Sequence, residues 1–179
     1  MNILEIINNM TIEEMKTRLA EYMAHDESLM SPLVAVEVRL SGNNARCRYD
    51  VLLIDEEGNE YTVKFRDRYS RLIYIYTLLH PKGYQRRQVV ADNYRELRRL
   101  YSQIYFKDSD ALLKTIESTD TKKPGQFLSQ YITQSRNAVR EASPLAERFT
   151  IARPQAYNGK VIIPFVATGG TVIIDNSLL

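Results

Sequence analysis

Residues 126–143 read QFLSQYITQSRNAVREAS. Leu128, Ile132, Ser135 and Val139 recur at i, i+4, i+7 and i+11, which lines them along one side of a helix. The other positions carry Gln, Ser, Thr, Asn and Arg, and no acid stands before Glu141. A helix face that meets only water usually interleaves Glu with Lys. With the four seam positions turned inward, Gln126, Ser129, Gln130, Thr133, Arg136, Asn137 and Arg140 point outward or flank the seam. Pro144 closes the helix.

Working outward, the segment before it is helical. Ser70 is the expected N-cap of a helix over RLIYIYTLLH, whose core side is Leu72, Ile73, Ile75, Tyr76 and Leu79 and which Pro81 and Gly83 stop. One long helix is expected from Arg86 to Tyr105, with Val90, Tyr94, Leu97, Tyr101 and Ile104 in period. A short third is expected from the Asp108 cap, using Leu112, Leu113 and Ile116. Before these come three expected strands, Leu33–Leu40, Arg46–Ile54 and Glu60–Phe65. They are joined by SGNN and by DEEGN, whose Gly58-Asn59 suits a tight turn. Connections this short predict an antiparallel meander. Asp55, Glu56 and Glu57 are expected in a solvated turn. At the amino end, Thr11 and Glu14 have capping-box spacing, and Met15, Leu19, Tyr22 and Met23 follow as a helical stripe. Beyond Pro144, two strands are expected over Arg148–Arg153 and Lys160–Phe165, with Asn158-Gly159 as their turn and TVIID as a further strand.

The 179 residues suit one domain, or a domain with an extension. The formal charge of +2 hides a split: residues 1–61 hold 5 basic and 12 acidic side chains, and residues 62–179 hold 19 and 10. That asymmetry points to an anionic partner for the second part, or to the two parts neutralising each other. Cys47 is the lone cysteine, so no internal disulfide is expected. Neither a signal peptide nor a membrane span is recognised, and the expected location is the cytoplasm. Of the twelve tyrosines, Tyr74, Tyr76, Tyr94, Tyr101 and Tyr105 stand beside apolar helix positions, which predicts core packing rather than base stacking.

Meander, helices and a closing hairpin are the parts of a winged helix, which offers a helix to a DNA groove and a loop to the flanking backbone. Residues 31–165, carrying YTVKF, SRLIYIYTLLHPKG, the seam Leu128, Ile132, Ser135, Val139 with Arg136 after its third place, and FTIARPQAYNGKVIIP, resemble the winged helix-turn-helix effector domain of OmpR-type bacterial response regulators. The resemblance implies an α+β fold: an N-terminal three-stranded antiparallel meander (33–66), a helical core (70–143) and a C-terminal β-hairpin wing (148–175), in a winged-helix-like domain over 31–179 with a helical extension over 1–30. The chain departs from the family in three places. Ser135 fills an apolar place, an extra short helix follows the second, and residues 1–61 are too few and in the wrong element order for a receiver domain, so no phospho-accepting Asp is expected.

On this reading the chain is a transcriptional regulator that binds double-stranded DNA. Gln and Asn pair bidentately with adenine, Arg with guanine or phosphate, and Ser and Thr with either. The expected DNA-binding residues are therefore Gln126, Ser129, Gln130, Thr133, Arg136, Asn137 and Arg140 on the recognition helix. Arg86 and Arg87 begin the preceding helix, and Arg153 and Lys160 flank the wing loop around Tyr157. Arg95, Arg98 and Arg99 are expected to face solvent or the acidic first part. Residues 1–30, through Ile3, Ile6, Ile7, Met15 and Leu19, are expected to hold a homodimer or a protein partner. The alternative is a protein-interaction module on the same fold. His25 and His80 sit at helix ends, away from Cys47 in sequence, and no phosphate loop or nucleophile elbow is present. No enzyme, cofactor or metal site is expected.

Overall fold

The computed structural model describes residues 31–41 and 49–179, together with Thr11, Glu14, Lys16 and Thr17. The chain divides into two compact units, Met1–Pro32 and Leu33–Leu179. In the first, the expected capping box is present: the Thr11 amide donates to Glu14 Oε2 at 2.7 Å, and the Glu14 amide to Thr11 Oγ1 at 3.3 Å. The expected stripe of Met15, Leu19, Tyr22 and Met23, the expected association residues Ile3, Ile6, Ile7, Met15 and Leu19, and Cys47 lie outside the described residues.

The second unit is mixed α+β. Its elements run β1 (Leu33–Leu40), β2 (Tyr49–Asp55), β3 (Glu60–Thr62), α1 (Arg68–Leu78), β4 (Tyr84–Gln85), α2 (Arg86–Ala91), α3 (Arg95–Tyr105), α4 (Asp110–Asp120), α5 (Gln126–Ala142), β5 (Lys160–Val161), α6 (Pro164–Ala167) and β6 (Thr171–Ile174). β1, β2 and β3 form the expected antiparallel meander. β6 returns to lie parallel to β1, which makes a four-stranded sheet in the order β3-β2-β1-β6. Period-two alternation puts Val36, Val38, Val51 and Leu53 in the core. Val34 is exposed, because the β1–β2 register shifts between Leu33 and Ala35.

Asp55 closes the β2–β3 turn and is buried, not solvated. It accepts from the Glu57 and Asn59 amides, from Asn59 Nδ2 and from the Tyr61 hydroxyl, at 2.8–3.0 Å. Burial pushes its carboxyl up, but these bonds together outweigh it and hold the group below the usual carboxylate range.

α1 is the centre of the unit: every residue from Tyr69 to Leu78 except Arg71 is buried. Its N-cap is Asp67, not Ser70. Asp67 Oδ1 accepts from both the Tyr69 and Ser70 amides at 2.8 Å, and a carboxylate satisfies the helix's positive end better than a hydroxyl. Each large apolar side chain buried here contributes about 1.5–3 kcal/mol, so Leu72, Ile73, Ile75 and Leu78 anchor the unit. Tyr74, Tyr76, Tyr94 and Tyr101 are buried, as their helix positions predict.

The expected long helix from Arg86 to Tyr105 is two helices, α2 and α3. Asn93 and Tyr94 between them take left-handed backbone, with φ of 49° and 54°. Asn tolerates that region. For Tyr94 the strain is offset by burial of the ring, which meets Phe127 edge-on at 5.9 Å, while its hydroxyl donates to Asp120. The expected third helix exists and is longer, spanning three turns as α4 with Leu112 and Ile116 buried.

The tail corrects the hairpin expected over 148–175. A backbone bond from the Ala152 amide to the Ile162 carbonyl, 2.8 Å, joins the two segments. Pro144 and Pro154 instead start 3₁₀ turns over Pro144–Phe149 and Pro154–Tyr157, and Pro164 starts α6. A proline has no amide to extend a ladder. The strand partner of β5 is β4, with Tyr84 opposite Val161 and Gln85 opposite Lys160. The tight turn at Asn158-Gly159 is present, with φ of 52° and 78° as a type I′ turn requires.

Candidate nucleic-acid interface

α5 has 17 residues, about 25 Å of helix at 1.5 Å per residue. Its inner side is the expected seam, since Leu128, Ile132, Ser135 and Val139 are all buried, joined by Phe127, Tyr131 and Ala138. Rings fasten it to α1: Tyr69 meets Phe127 at 5.7 Å and Tyr131 at 5.3 Å. Ser135, the polar residue in the seam, is not a weak point. Its hydroxyl lies 2.6 Å from the Ser70 carbonyl of α1 and 2.7 Å from its own helix's Tyr131 carbonyl, so its one proton is shared between two acceptors.

The amino end of α5 is held by Asp120, at the end of α4. Its carboxylate accepts from the Gly125 amide at 3.0 Å and the Phe127 amide at 2.8 Å, and from the Tyr94 hydroxyl. A carboxylate here satisfies amides that an α-helix leaves unpaired and complements the positive end of the helix. Gly125 makes this possible by taking φ of 78°. The turn between α4 and α5 is thereby fixed, and with it the direction in which α5 projects.

The outer side of α5 is open to water. Gln126, Gln130, Thr133, Asn137 and Arg140 are exposed and follow one another at spacings of four, three, four and three, one unbroken stripe. Ser129 and Arg136 are half-buried along its edge. Ser129 accepts from Arg86 Nη1 at 2.6 Å, so Arg86 ties α2 to α5, while Arg87 beside it is exposed. Lys160 is exposed, its Nζ 3.4 Å from the Lys82 carbonyl, and the β4–β5 pair sets it opposite Gln85, next to Arg86. Arg153 is exposed and Tyr157 half-buried. Arg95 and Arg99 are exposed, and Arg98 Nε donates to Ser109 at 3.3 Å.

Besides Arg86 and Ser129, two more of the expected base or phosphate contacts, Arg136 and Arg140, are engaged inside the protein. Arg136 sends Nε to the Ile151 carbonyl at 2.7 Å and Nη2 to the Ala152 carbonyl at 3.1 Å. It clamps the tail onto α5. Burial first, then the charges of Arg140 and Arg153, lower its pKa. Arg140 makes a two-pronged pair with Glu147, Nε to Oε2 at 2.7 Å and Nη2 to Oε1 at 2.8 Å. The bond with Arg140 holds the Glu147 carboxyl below its usual range. A cleft of about 420 Å³ opens beside this pair, with Arg136, Arg148, Arg153 and Tyr157 among its walls.

Asp120, Glu147 and Arg148 escape a reading of the sequence alone. The available signal was that no Ser, Thr, Asp or Asn stands just before Gln126, so this helix needed a cap from elsewhere. Compared with protein-family models, with curated proteins and with solved structures, the chain matches none. No helix among the described residues is long and apolar enough to cross a membrane.

Proposed function

We propose that the chain is a DNA-binding regulator of winged-helix type, with α5 entering the major groove and residues 154–160 lying on the adjacent backbone as an irregular wing. The observation that carries this is the exposed stripe Gln126, Gln130, Thr133, Asn137, Arg140 on a helix whose opposite side is fixed in the core. A helix of this diameter fits a groove about 12 Å wide, and its amides and hydroxyl match the edges of bases, each well-formed bidentate pair being worth about 1–3 kcal/mol of discrimination. Arg87, Arg153 and Lys160, all exposed, are the backbone contacts, and Arg86 and Arg136 set the position of the groups around them. An association face within residues 1–30 belongs to the same proposal. The bidentate capture of Arg140 by Glu147 supports a second reading, a protein-docking face, because it leaves the carboxyl end of the stripe nearly neutral.

Fluorescence anisotropy with a mixed-sequence duplex separates the two. Replacing Gln130 and Asn137 together by Ala should leave the melting temperature unchanged and reduce sequence preference, while Arg153→Ala should weaken all duplexes alike. A protein that ignores duplex DNA at low salt leaves the docking reading.

A further inference from the structure

We propose that the cleft between the carboxyl half of α5 and residues 147–157 seats one phosphodiester of a bound duplex, and that Glu147 fills that seat in the free protein. The proposal rests on the DNA-binding reading above. Four arginines, Arg136, Arg140, Arg148 and Arg153, line the cleft with Glu147 as the one acid among its lining residues. Glu147 meets Arg140 through both carboxylate oxygens, at 2.7 and 2.8 Å, the same fork that two phosphate oxygens present to a guanidinium. The Glu147 side chain is 68% exposed, so it can swing into water and be rehydrated when a phosphate arrives. Arg136 cannot leave as easily, because the Ile151 and Ala152 carbonyls fix its guanidinium beside the seat. Burial, then the charges of Arg140 and Arg153, disfavour charge on Arg136, so the cluster favours one anion in the seat: Glu147 in the free protein, the singly charged phosphodiester in the complex. Glu147 thus acts as an internal competitor that sets affinity and keeps the cleft from holding stray anions.

The test measures duplex affinity against salt for the full chain and for Glu147→Gln, Arg140→Gln and the double variant. E147Q is expected to bind about 2- to 5-fold tighter at 0.15 M salt, the gain from releasing Arg140 from an exposed bidentate pair so that it can take the phosphate. R140Q is expected to bind more weakly, with a salt slope shallower by about 0.9, one phosphate contact. The double variant is expected to match R140Q, because Glu147 acts through Arg140. An exposed pair contributes little to stability, so the melting temperatures should agree within a few degrees; Glu147→Asp, which retracts the carboxylate from Arg140, gives the same reading should E147Q fold poorly. Parent protein that binds duplex with an affinity that neither E147Q nor R140Q alters overturns the seat alone. Parent protein that binds no duplex overturns both the seat and the DNA reading.

Discussion

Replacing Arg136 by Ala tests whether this side chain holds the tail in place. Its two bonds run from a charged donor to backbone carbonyls, at 2.7 and 3.1 Å. Such bonds contribute about 1.5–3 kcal/mol each when buried. The guanidinium is only half-buried, and in the variant water can reach the two carbonyls, so each bond falls to about 1 kcal/mol and the pair is expected to contribute about 2 kcal/mol. For a unit of this size that lowers the melting temperature by about 4–8 °C. Arg136→Lys should recover less than half of the loss, because one ammonium cannot reproduce the two-pronged geometry. Thermal melts followed by circular dichroism read both variants. The Ala variant should also bind duplex less well, through displacement of residues 151–160 rather than loss of a base contact, so its weakening should be uniform across sequences. A melt within 1 °C of the parent refutes the clamp.

Two further outcomes follow from buried geometry. At Gly170 an added Cβ would stand 2.5 Å from the Phe165 ring, which is stacked on Phe149 at 4.1 Å; Gly170→Ala should therefore cost about 1–3 kcal/mol by overpacking, measured by urea denaturation. Asp55 has its folded pKa below its unfolded value of about 3.9, so its stabilisation is fully present above that value and is lost as pH falls through the folded value. Urea midpoints taken between pH 6 and pH 2.5 should fall less steeply for Asp55→Asn than for the parent, and equal slopes would contradict the assigned role.

What could be read from the sequence was local. The α5 seam, the limits of β1, the Thr11–Glu14 box and the Asn158-Gly159 turn each depend on residues a few positions apart, and all are present. What could not be read depends on distant partners. The helix break at Asn93-Tyr94 is set by Phe127 and Asp120, which bury and bond Tyr94. The parallel pairing of β6 with β1 and the β4–β5 pair join segments far apart in the chain, which no periodicity announces. For the candidate interface, the outward residue types were legible and their engagement was not. Arg136 is occupied by carbonyls at 151 and 152, and Arg140 by Glu147. Arg87, Arg153 and Lys160 stand exposed as their positions suggested.

Whether α5 meets DNA is decided by the dependence of duplex affinity on salt. With Arg87, Arg153, Lys160 and the cleft arginines on phosphates, the logarithm of affinity should fall linearly against the logarithm of salt concentration with a slope of about −3 to −5, near −0.9 per contact. Absence of association at 50 mM salt, or an affinity that salt does not change, would contradict it.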